Sequence, residues 1–324
     1  MTGDTILETA GLSKTFSSGK GKKHKLVEAV KGVDLLVNRG EVFGFLGPNG
    51  AGKTTTLNML TTLLAPTSGK ATVAGFDLSA NPEKVREQIG YVSQEGGADT
   101  FSDAYDNLIL QSRLYGFSAN EAKIKAGELI RRFQMEDFAS REASTYSGGQ
   151  KRRLELALGI VHRPSLVFLD EPTTGLDPQS RAYFWEEIAQ LKKEGMTVFL
   201  TTHYLEEADH LCDRVAIMDH GCVVALDTPA ELKRSIGLES ILIDFARDRD
   251  LGKAKGLLAG LSQVSKSFSD ENTLHLFVKD GGSMIAEVLR ILDREGIAVQ
   301  TIGMSRPSLD DVFLEKTGKS LREK

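Results

Sequence analysis

The sequence of 324 residues contains little cysteine and no long apolar run. Its two cysteines, Cys212 and Cys222, show no metal-type pairing, which argues against a secreted disulfide framework and favours a reducing compartment. No apolar run approaches the roughly 18 residues that span a bilayer. The first residues, Met1–Asp4, lack the basic and apolar stretches of a signal peptide. We therefore expect a cytosolic chain.

An excess of positive charge is also missing. The chain has 40 Lys+Arg against 45 Asp+Glu, a net charge of −5, which argues against a protein that binds nucleic acid mainly through phosphate contacts. We expect no nucleic-acid partner. At about 100–200 residues per domain the length suggests two domains, and no internal repeat or low-complexity segment is evident.

Alternating apolar residues near the N-terminus predict strands over Leu7–Phe16 and Leu26–Val37. The polar stretch Ser17–Lys25 between them favours a solvated turn, with a basic membrane or nucleic-acid contact as the alternative. Glu41–Leu46 is a short apolar run typical of a buried strand, and a helical pattern follows over Lys53–Leu64. The N-terminal part of the chain is therefore predicted to mix strands with a first helix.

Further along, helical spacing extends from about residue 103 to residue 160. Strand-like runs at Leu166–Leu169 and Thr197–Leu200 flank a helical stretch, Tyr183–Leu191, which predicts parallel βαβ units. From about residue 239 the predicted order is βαββαβ, which matches a small ferredoxin-like α+β unit. Its elements are the strand Ile241–Phe245, the helix Ala254–Leu261, the strands Val264–Phe268 and Thr273–Val278, the helix Ser283–Glu295 and the strand Ala298–Ile302.

The strongest chemical signal is a glycine-rich segment between a predicted strand and a predicted helix. Glycines let the backbone approach phosphate oxygens closely, and the start of the helix offers free N–H groups to the anion. In the pattern G-x-x-x-x-G-K-[ST], Lys53 reaches the β- and γ-phosphates and Thr54 places its hydroxyl on Mg²⁺. A strand–helix turn without a ligand is the alternative. We predict a nucleotide site formed by Gly47, Pro48, Asn49, Gly50, Ala51, Gly52, Lys53, Thr54 and Thr55.

A second signal is the apolar run Leu166–Leu169, which is followed by Asp170 and Glu171. A strand that ends in a carboxylate delivers this group to the rim of a parallel sheet, where ligands bind. Asp170 is therefore suited to hold Mg²⁺, directly or through water, and Glu171 can orient and polarise an attacking water. Two exposed acids at the end of a strand are the alternative.

A third and weaker signal is the run Ser147, Gly148, Gly149 and Gln150 at the start of a predicted helix. A serine followed by two glycines at a helix start can donate several hydrogen bonds to a phosphate. The same residues also form an ordinary flexible turn and N-cap. Their interpretation depends on the other two signals.

The three motifs occur in the order found in ATP-binding cassette (ABC) transporter ATPases, and residues 5–235 resemble that family. The resemblance implies an α/β fold: a P-loop NTPase cassette with a RecA-like core, an antiparallel β subdomain and a helical subdomain at about residues 95–163. It implies an ATP-binding domain at residues 1–237. Since the pattern changes near residue 239 and no assigned nucleotide or metal residue lies beyond it, we predict a C-terminal regulatory or dimerisation domain at residues 238–324. Tyr146 stands where the family usually has leucine.

The resemblance also implies roles that spacing does not. Gln94 matches a glutamine that touches Mg²⁺ and senses the membrane partner, and Asp177 lies in a loop that crosses between two ATPase subunits. His203 matches a histidine that contacts the γ-phosphate. Phe16 falls where an aromatic ring stacks on adenine. Ordinary loop, surface or core positions are the alternatives for Gln94, His203 and Phe16.

The tail, Arg306–Leu314 with Thr317–Gly318, resembles the end of drug-exporting ABC ATPases of the daunorubicin-resistance type, whose membrane subunits are separate ABC-2-type chains. An amphipathic capping helix with Leu309, Val312 and Phe313 on one face is a compatible interpretation. The resemblance implies an ATP-hydrolysing subunit at the cytoplasmic face of the cell membrane. This subunit would energise export of a drug-like, antibiotic or lipid-like compound through an ABC-2-type permease.

The implied mechanism uses two copies of the chain that close head to tail around two ATP molecules. Glu171 acts as general base toward water, Mg²⁺ neutralises the phosphates and His203 steadies the γ-phosphate. A rival function is an ATP-gated switch without transport, such as a ribosome-associated or DNA-repair ABC ATPase. The single cassette and the lack of sustained heptads disfavour this rival.

Overall fold

The computed structural model describes residues 4–18, 25–236, 239–270, 272–305 and 307–318. The chain forms two compact units, Met1–Val223 and Val224–Lys324. Most of the polar turn predicted after the first strand, residues 19–24, lies outside the described residues, as does Arg306 of the tail motif. Within the described ranges, no helix combines the length and the apolar character needed to cross a membrane.

Ten strands, seven α-helices and a short 3₁₀-helix at Ala143–Thr145 precede residue 228 in the described part of the chain. The strands are β1 (Thr5–Ser18), β2 (Lys25–Asn38), β3 (Val42–Leu46), β4 (Ser68–Val73), β5 (Phe76–Asp77), β6 (Ile89–Val92), β7 (Leu166–Asp170), β8 (Thr197–Thr202), β9 (Arg214–Asp219) and β10 (Cys222–Asp227). The helices are α1 (Lys53–Leu60), α2 (Pro82–Gln88), α3 (Ala104–Leu114), α4 (Ala119–Arg132), α5 (Gly148–Ile160), α6 (Pro178–Lys193) and α7 (Leu205–Leu211).

The largest sheet has six strands in the order β10-β9-β3-β8-β7-β6. β3 pairs in parallel with β8 and β9, and β7 pairs in parallel with β6 and β8, which confirms the predicted βαβ arrangement. Every residue of β3, β7 and β8 is buried, as expected for parallel strands covered on both faces. Phe199 packs between Phe43 and Phe168, with ring centroids 5.4 Å from each.

A second sheet, β2-β1-β4-β5, is antiparallel. The long helical stretch predicted near the middle of the chain contains three separate helices, α3, α4 and α5. Reciprocal hydrogen bonds between Ser118 and Glu121, and between Ser147 and Gln150, cap the starts of α4 and α5. Such capping boxes satisfy backbone N–H groups that a helix start leaves free.

Helix α1 ends at Leu60, earlier than the predicted end at Leu64. The chain leaves the helix because Thr62 adopts a left-handed conformation, with φ of 66°. The amide of Thr61 still bonds to the Leu57 carbonyl at 2.9 Å, whereas that of Thr62 turns to Met59 at 3.0 Å. A left-handed residue is a common way to end a helix.

After β10, the described residues of the second unit form four strands and four helices. They are α8 (Pro229–Ile236), β11 (Glu239–Phe245), α9 (Asp248–Leu258), β12 (Val264–Asp270), β13 (Thr273–Val278), α10 (Gly281–Arg294), β14 (Val299–Ser305) and α11 (Leu309–Thr317). The strand order β12-β13-β11-β14, with antiparallel pairs throughout, confirms the predicted ferredoxin-like βαββαβ unit. Alternate residues Ile241, Ile243 and Phe245 enter its core.

Helix α11 is buried over six consecutive residues, Leu309–Leu314, which is more than the single apolar face predicted for it. It contacts α8, and Glu315 forms an ion pair with Lys266 of β12. Ser308 and Asp311 cap its first turn. The helix therefore packs within the second unit. The division between residues 237 and 238 stays a prediction.

Candidate functional site

The glycine-rich loop connects β3 to α1. Gly52, directly before α1, has φ of 107°, and a Cβ there would lie 2.5 Å from the Ala29 carbonyl oxygen. The position therefore requires glycine. The amide of Ala51 bonds to the Pro48 carbonyl at 3.2 Å, which folds the loop over the start of the helix.

Lys53 is the first residue of α1 and only 4% exposed. Its Nζ donates to the carbonyl oxygens of Gly47 at 2.7 Å and Pro48 at 3.1 Å. The same Nζ lies 3.3 Å from Oε1 of Glu171. The ammonium group is therefore surrounded by oxygen atoms at the loop, where a phosphate oxygen can take the place of any one of them.

Thr54 and Asp170 meet where α1 begins and β7 ends. The Thr54 hydroxyl donates to Oδ1 of Asp170 at 3.2 Å, and the Thr201 hydroxyl donates to the same oxygen at 2.5 Å. Burial raises the pKa of Asp170, and the bonds from Thr201 and Thr54 oppose that effect. A hydroxyl and a carboxylate are thus presented side by side.

Glu171 lies next to Asp170 and is 6% exposed. Its Oε2 lies 3.2 Å from Nδ1 of His203 and accepts a hydrogen bond from Nε2 of Gln94 at 3.3 Å. Contact with His203, supported by the charge of Lys53, lowers the pKa of Glu171 to about 2 despite its burial. Glu171 is therefore a carboxylate at neutral pH.

The backbone of Glu171 is left-handed, with φ of 46°, a conformation that side-chain-bearing residues rarely adopt. Its amide donates to both the carbonyl oxygen and the hydroxyl of Thr201, at 3.1 and 3.0 Å. Its carbonyl oxygen accepts a hydrogen bond from Arg152 at 3.1 Å. These partners on two different elements hold the unusual backbone that aims the carboxylate.

A second cluster lies at the starts of α5 and α6. Ser147 caps α5, and its amide donates to the Gln150 side chain at 3.0 Å. Asp177 caps α6 through the Ser180 amide, at 2.9 Å. The two helix starts pack closely, since a Cβ on Gly149 would lie 2.5 Å from the Ser180 hydroxyl oxygen.

Phe16 lies on β1 opposite Val27 of β2. The residue is 42% exposed, and Nζ of Lys14 lies 5.4 Å from the ring centroid. Two residues further along β2 is Ala29, whose carbonyl oxygen lies next to Gly52 of the glycine-rich loop. Phe16 is thus on the strand pair that borders the glycine-rich loop, and stacking on adenine stays a prediction.

The predicted site residues fall into separate groups in the structure. Side chains that converge on the end of β7 are Lys53, Thr54, Gln94, Asp170, Glu171 and His203. The second cluster consists of Ser147, Gly148, Gly149, Gln150 and Asp177.

The residues of this site that sequence reasoning missed include Thr201, Arg152 and Thr174, whose hydroxyl donates to Oε2 of Glu171 at 3.4 Å. Thr201 is in a buried strand, two residues before His203, and the family resemblance assigned a role to the histidine only. The spacing of Arg152 and Glu155 could have indicated an i,i+3 ion pair on a helix. Tyr146, a departure from the family pattern, is buried edge-on against Phe138, with ring centroids 4.9 Å apart.

Comparisons with known proteins agree with this geometry. The family described as "ABC transporter" matches residues 30–174. A second family, described as "ATP-binding protein DrrA1-3-like, C-terminal domain", matches residues 228–317. The first match spans the glycine-rich loop, the Ser147 group and Glu171, and the second spans the ferredoxin-like unit.

Relatives resemble the chain over nearly its whole length. The daunorubicin/doxorubicin resistance ATP-binding protein DrrA of Streptomyces peucetius is 42% identical over 316 residues, covering 96% of this chain and 92% of the relative. The chain belongs to the ATP-binding subunits of ABC transporters. The daunorubicin resistance ATP-binding protein DrrA2 of Streptomyces coeruleorubidus is 41% identical over 298 residues, with 92% of each chain covered.

A solved ABC cassette has the same fold. It is a dimer in a post-hydrolysis state bound to ADP and phosphate, with a TM-score of 0.63 and 25% identity over 69% of this chain and 98% of the cassette. The predicted family, the α/β cassette fold and the ATPase class are confirmed. The chain is an ABC ATPase that binds ATP, whereas the roles of single residues stay predictions.

Proposed function

We propose that two copies of this ABC ATPase hydrolyse ATP with Mg²⁺ at the cytoplasmic face of the membrane. Hydrolysis would energise export of a drug-like, antibiotic or lipid-like compound through a separate ABC-2-type permease. Two relatives are named for resistance to daunorubicin or doxorubicin, and the C-terminal unit matches the DrrA-type domain. The similar cassette of known structure is a dimer.

The observation that carries the hydrolytic part is the buried, ionised Glu171 beside Lys53. When ATP binds, Lys53 exchanges the carbonyls of Gly47 and Pro48 and the Glu171 carboxylate for β- and γ-phosphate oxygens. This exchange frees Glu171 to accept a proton from the attacking water at Oε1 or Oε2. Loss of the neighbouring cation also raises the basicity of the carboxylate.

The residues present fit a magnesium ion. Mg²⁺ prefers oxygen ligands and is usually bound by one or two carboxylates together with substrate phosphates. Thr54 and Asp170 offer such oxygens side by side, and the Gln94 amide lies nearby. In the described ranges no group of three or more His, Cys, Asp or Glu residues could hold a metal, which suits an ion completed by the nucleotide. The ion, when bound, neutralises phosphate charge.

Other residues position the nucleotide. His203 would steady the γ-phosphate, and Phe16 would stack on the adenine ring. In the closed pair, Ser147 and Gly149 of one copy would complete the phosphate cage around Lys53 of the other, with Asp177 in the loop between them. Closure would then move the permease, as ligand-driven domain closure does elsewhere.

The test is co-purification of the full chain from detergent-solubilised membranes, followed by reconstitution of the complex into vesicles. We expect a multi-span membrane protein to co-purify and daunorubicin to move across the vesicle membrane only when ATP and Mg²⁺ are present. The Glu171→Gln complex is the control, and it should bind ATP without transport. Hydrolysis without any multi-span partner would favour the non-transport switch instead.

A further inference from the structure

A single buried guanidinium, that of Arg152 on α5, contacts two loops of the catalytic site. The side chain is 7% exposed. Its Nε donates to the Pro172 carbonyl at 2.7 Å, and its Nη2 donates to the Glu171 carbonyl at 3.1 Å. Its Nη1 donates to the Ser93 carbonyl at 2.8 Å and to Oε2 of Glu155 at 2.7 Å. One planar group thus bonds both to the turn before Gln94 and to the loop that carries the Glu171 carboxylate.

The first of these loops is the turn that carries Gln94. Ser93 and Gly96 close it, since the Gly96 amide donates to the Ser93 carbonyl at 3.3 Å and the Ser93 hydroxyl donates to the Gly96 carbonyl at 2.8 Å. Gly96 has φ of 86°, and a Cβ there would collide with the carboxylate of Glu155. The Arg152–Glu155 pair therefore packs directly against the turn that carries Gln94, at Ser93 and Gly96.

The second loop begins at Glu171. Its left-handed backbone is held on one side by Thr201 of β8 and on the other by Arg152. Arg152 also bonds to the next carbonyl, that of Pro172. Without the guanidinium, the buried Pro172 carbonyl would lose this donor, and the Glu171 carbonyl would keep only the Thr174 amide, at 3.2 Å. The left-handed backbone would then have fewer partners to hold it.

We propose that Arg152 is a positioning residue that sets the contact between Gln94 and Glu171, whose Nε2 and Oε2 atoms lie 3.3 Å apart. It also ties this contact to α5, the 13-residue helix that Ser147 caps. The inference rests on the proposed function, because it assigns the alignment of the general base. When Ser147 engages a phosphate, any shift of α5 reaches Glu171 through Arg152.

Arginine is required for this role because its donors point in fixed directions. The planar guanidinium can donate to acceptors on separate segments at the same time, whereas the lysine ammonium is one compact group at the end of a flexible side chain. Arg152→Lys keeps a positive charge beside Glu155 but cannot reach both loops. Arg152→Met combined with Glu155→Leu removes the whole pair, which avoids leaving a buried carboxylate without its partner.

The experiment compares these two variants with the parent full-length chain in ATP affinity, kcat, thermal midpoint and amide hydrogen exchange. We expect kcat to fall about 10–100-fold, because small misplacement of a reacting group has effects of that size. The ATP dissociation constant should stay within about threefold, since the phosphate-binding loop is untouched. Exchange in residues 93–96 and 171–174 should rise about tenfold or more.

Arg153→Met is the matched control, because the neighbouring arginine lies 3.9 Å above the Tyr183 ring and donates to the Gln134 carbonyl. We expect its kcat and the exchange of both loops to stay within about twofold of the parent. The parent and Glu171→Gln test the proposed function separately. Unchanged exchange in both loops of Arg152→Lys, or kcat and affinity falling in equal proportion, overturns the role of Arg152.

Discussion

Replacement of Glu171 by glutamine should abolish turnover and, at the same time, tighten ATP binding. The carboxylate lies 3.3 Å from Nζ of Lys53, with the two side chains 7% and 4% exposed. Before ATP binds, Glu171 therefore competes with phosphate for the lysine. Glutamine keeps the size of the side chain but carries no charge and cannot accept the proton of the attacking water.

The magnitudes follow from this geometry. Two unit charges 3.3 Å apart attract by about 5 kcal/mol at an effective dielectric constant of about 20, before desolvation is counted. Removing even a small part of that competition lowers the ATP dissociation constant by about threefold or more. Loss of a general base lowers kcat by about 10²–10⁴-fold, which corresponds to about 3–5 kcal/mol in the barrier.

Three measurements on the full-length chain check this prediction. Equilibrium binding of ATP gives the affinity, single-turnover phosphate release gives the chemical step, and size exclusion with ATP and Mg²⁺ gives the assembly. The variant should elute as a dimer and the parent mostly as a monomer. Glu187→Gln is the matched control, because Glu187 is a glutamate of α6 beside Tyr183 and should leave all three measurements unchanged.

Either of two results would refute the reasoning on Glu171. If the variant hydrolyses ATP at the parent rate, Glu171 is not the base. If it stays monomeric with ATP and Mg²⁺, ATP does not hold two copies together in the proposed way. Weaker ATP binding in a folded variant would also show that Glu171 does not compete for Lys53.

Three further predictions concern Lys53, the effect of low pH on Glu171, and the C-terminal unit. Lys53→Ala should weaken ATP binding and abolish hydrolysis, and unchanged activity in the purified complex would contradict the loop assignment. Because folding lowers the pKa of Glu171 from 4.5 to about 2, its stabilising effect is complete above pH 4.5 and is lost as the pH falls toward 2. The difference in thermal midpoint between the parent and Glu171→Gln should therefore be constant from about pH 5 to 8 and shrink below that range. Truncation after Asp227 removes α8 together with α11, the helix that it contacts. The truncated chain should keep its ATP affinity within about threefold but should dimerise less or bind the permease less. ATP-binding measurements test the first expectation, and co-purification tests the second.

Much of the fold was predictable because its signals are local. A buried parallel strand such as β7 is a continuous apolar run, and the alternation of Ile241, Ile243 and Phe245 indicates a sheet with one face in the core. Boundaries were less predictable. Helix α1 ends at a left-handed Thr62, and nothing in the local pattern sets that conformation.

The predicted site divides in the same way. Lys53 and Thr54 lie in one contiguous motif, and Asp170 follows an apolar strand, so their chemistry could be predicted from neighbours in the chain. Gln94 and His203 were placed by family resemblance alone. Their meeting at Glu171 brings together atoms from residues far apart in sequence.

The sequence by itself determined the strands β3, β7 and β8 and the glycine-rich loop, because backbone preference and hydrophobic periodicity act over a few residues. It did not determine every helix start, since α6 begins at Pro178 and not at the predicted Tyr183. Tertiary structure alone decided what Arg152 and Thr201 do. Their partners, the Ser93 carbonyl and the Glu171 backbone, are brought near only when β6, β7, β8 and α5 pack together. A buried donor or acceptor is paired with whatever group the fold brings next to it. Residue spacing in the sequence does not show which groups become neighbours in this way.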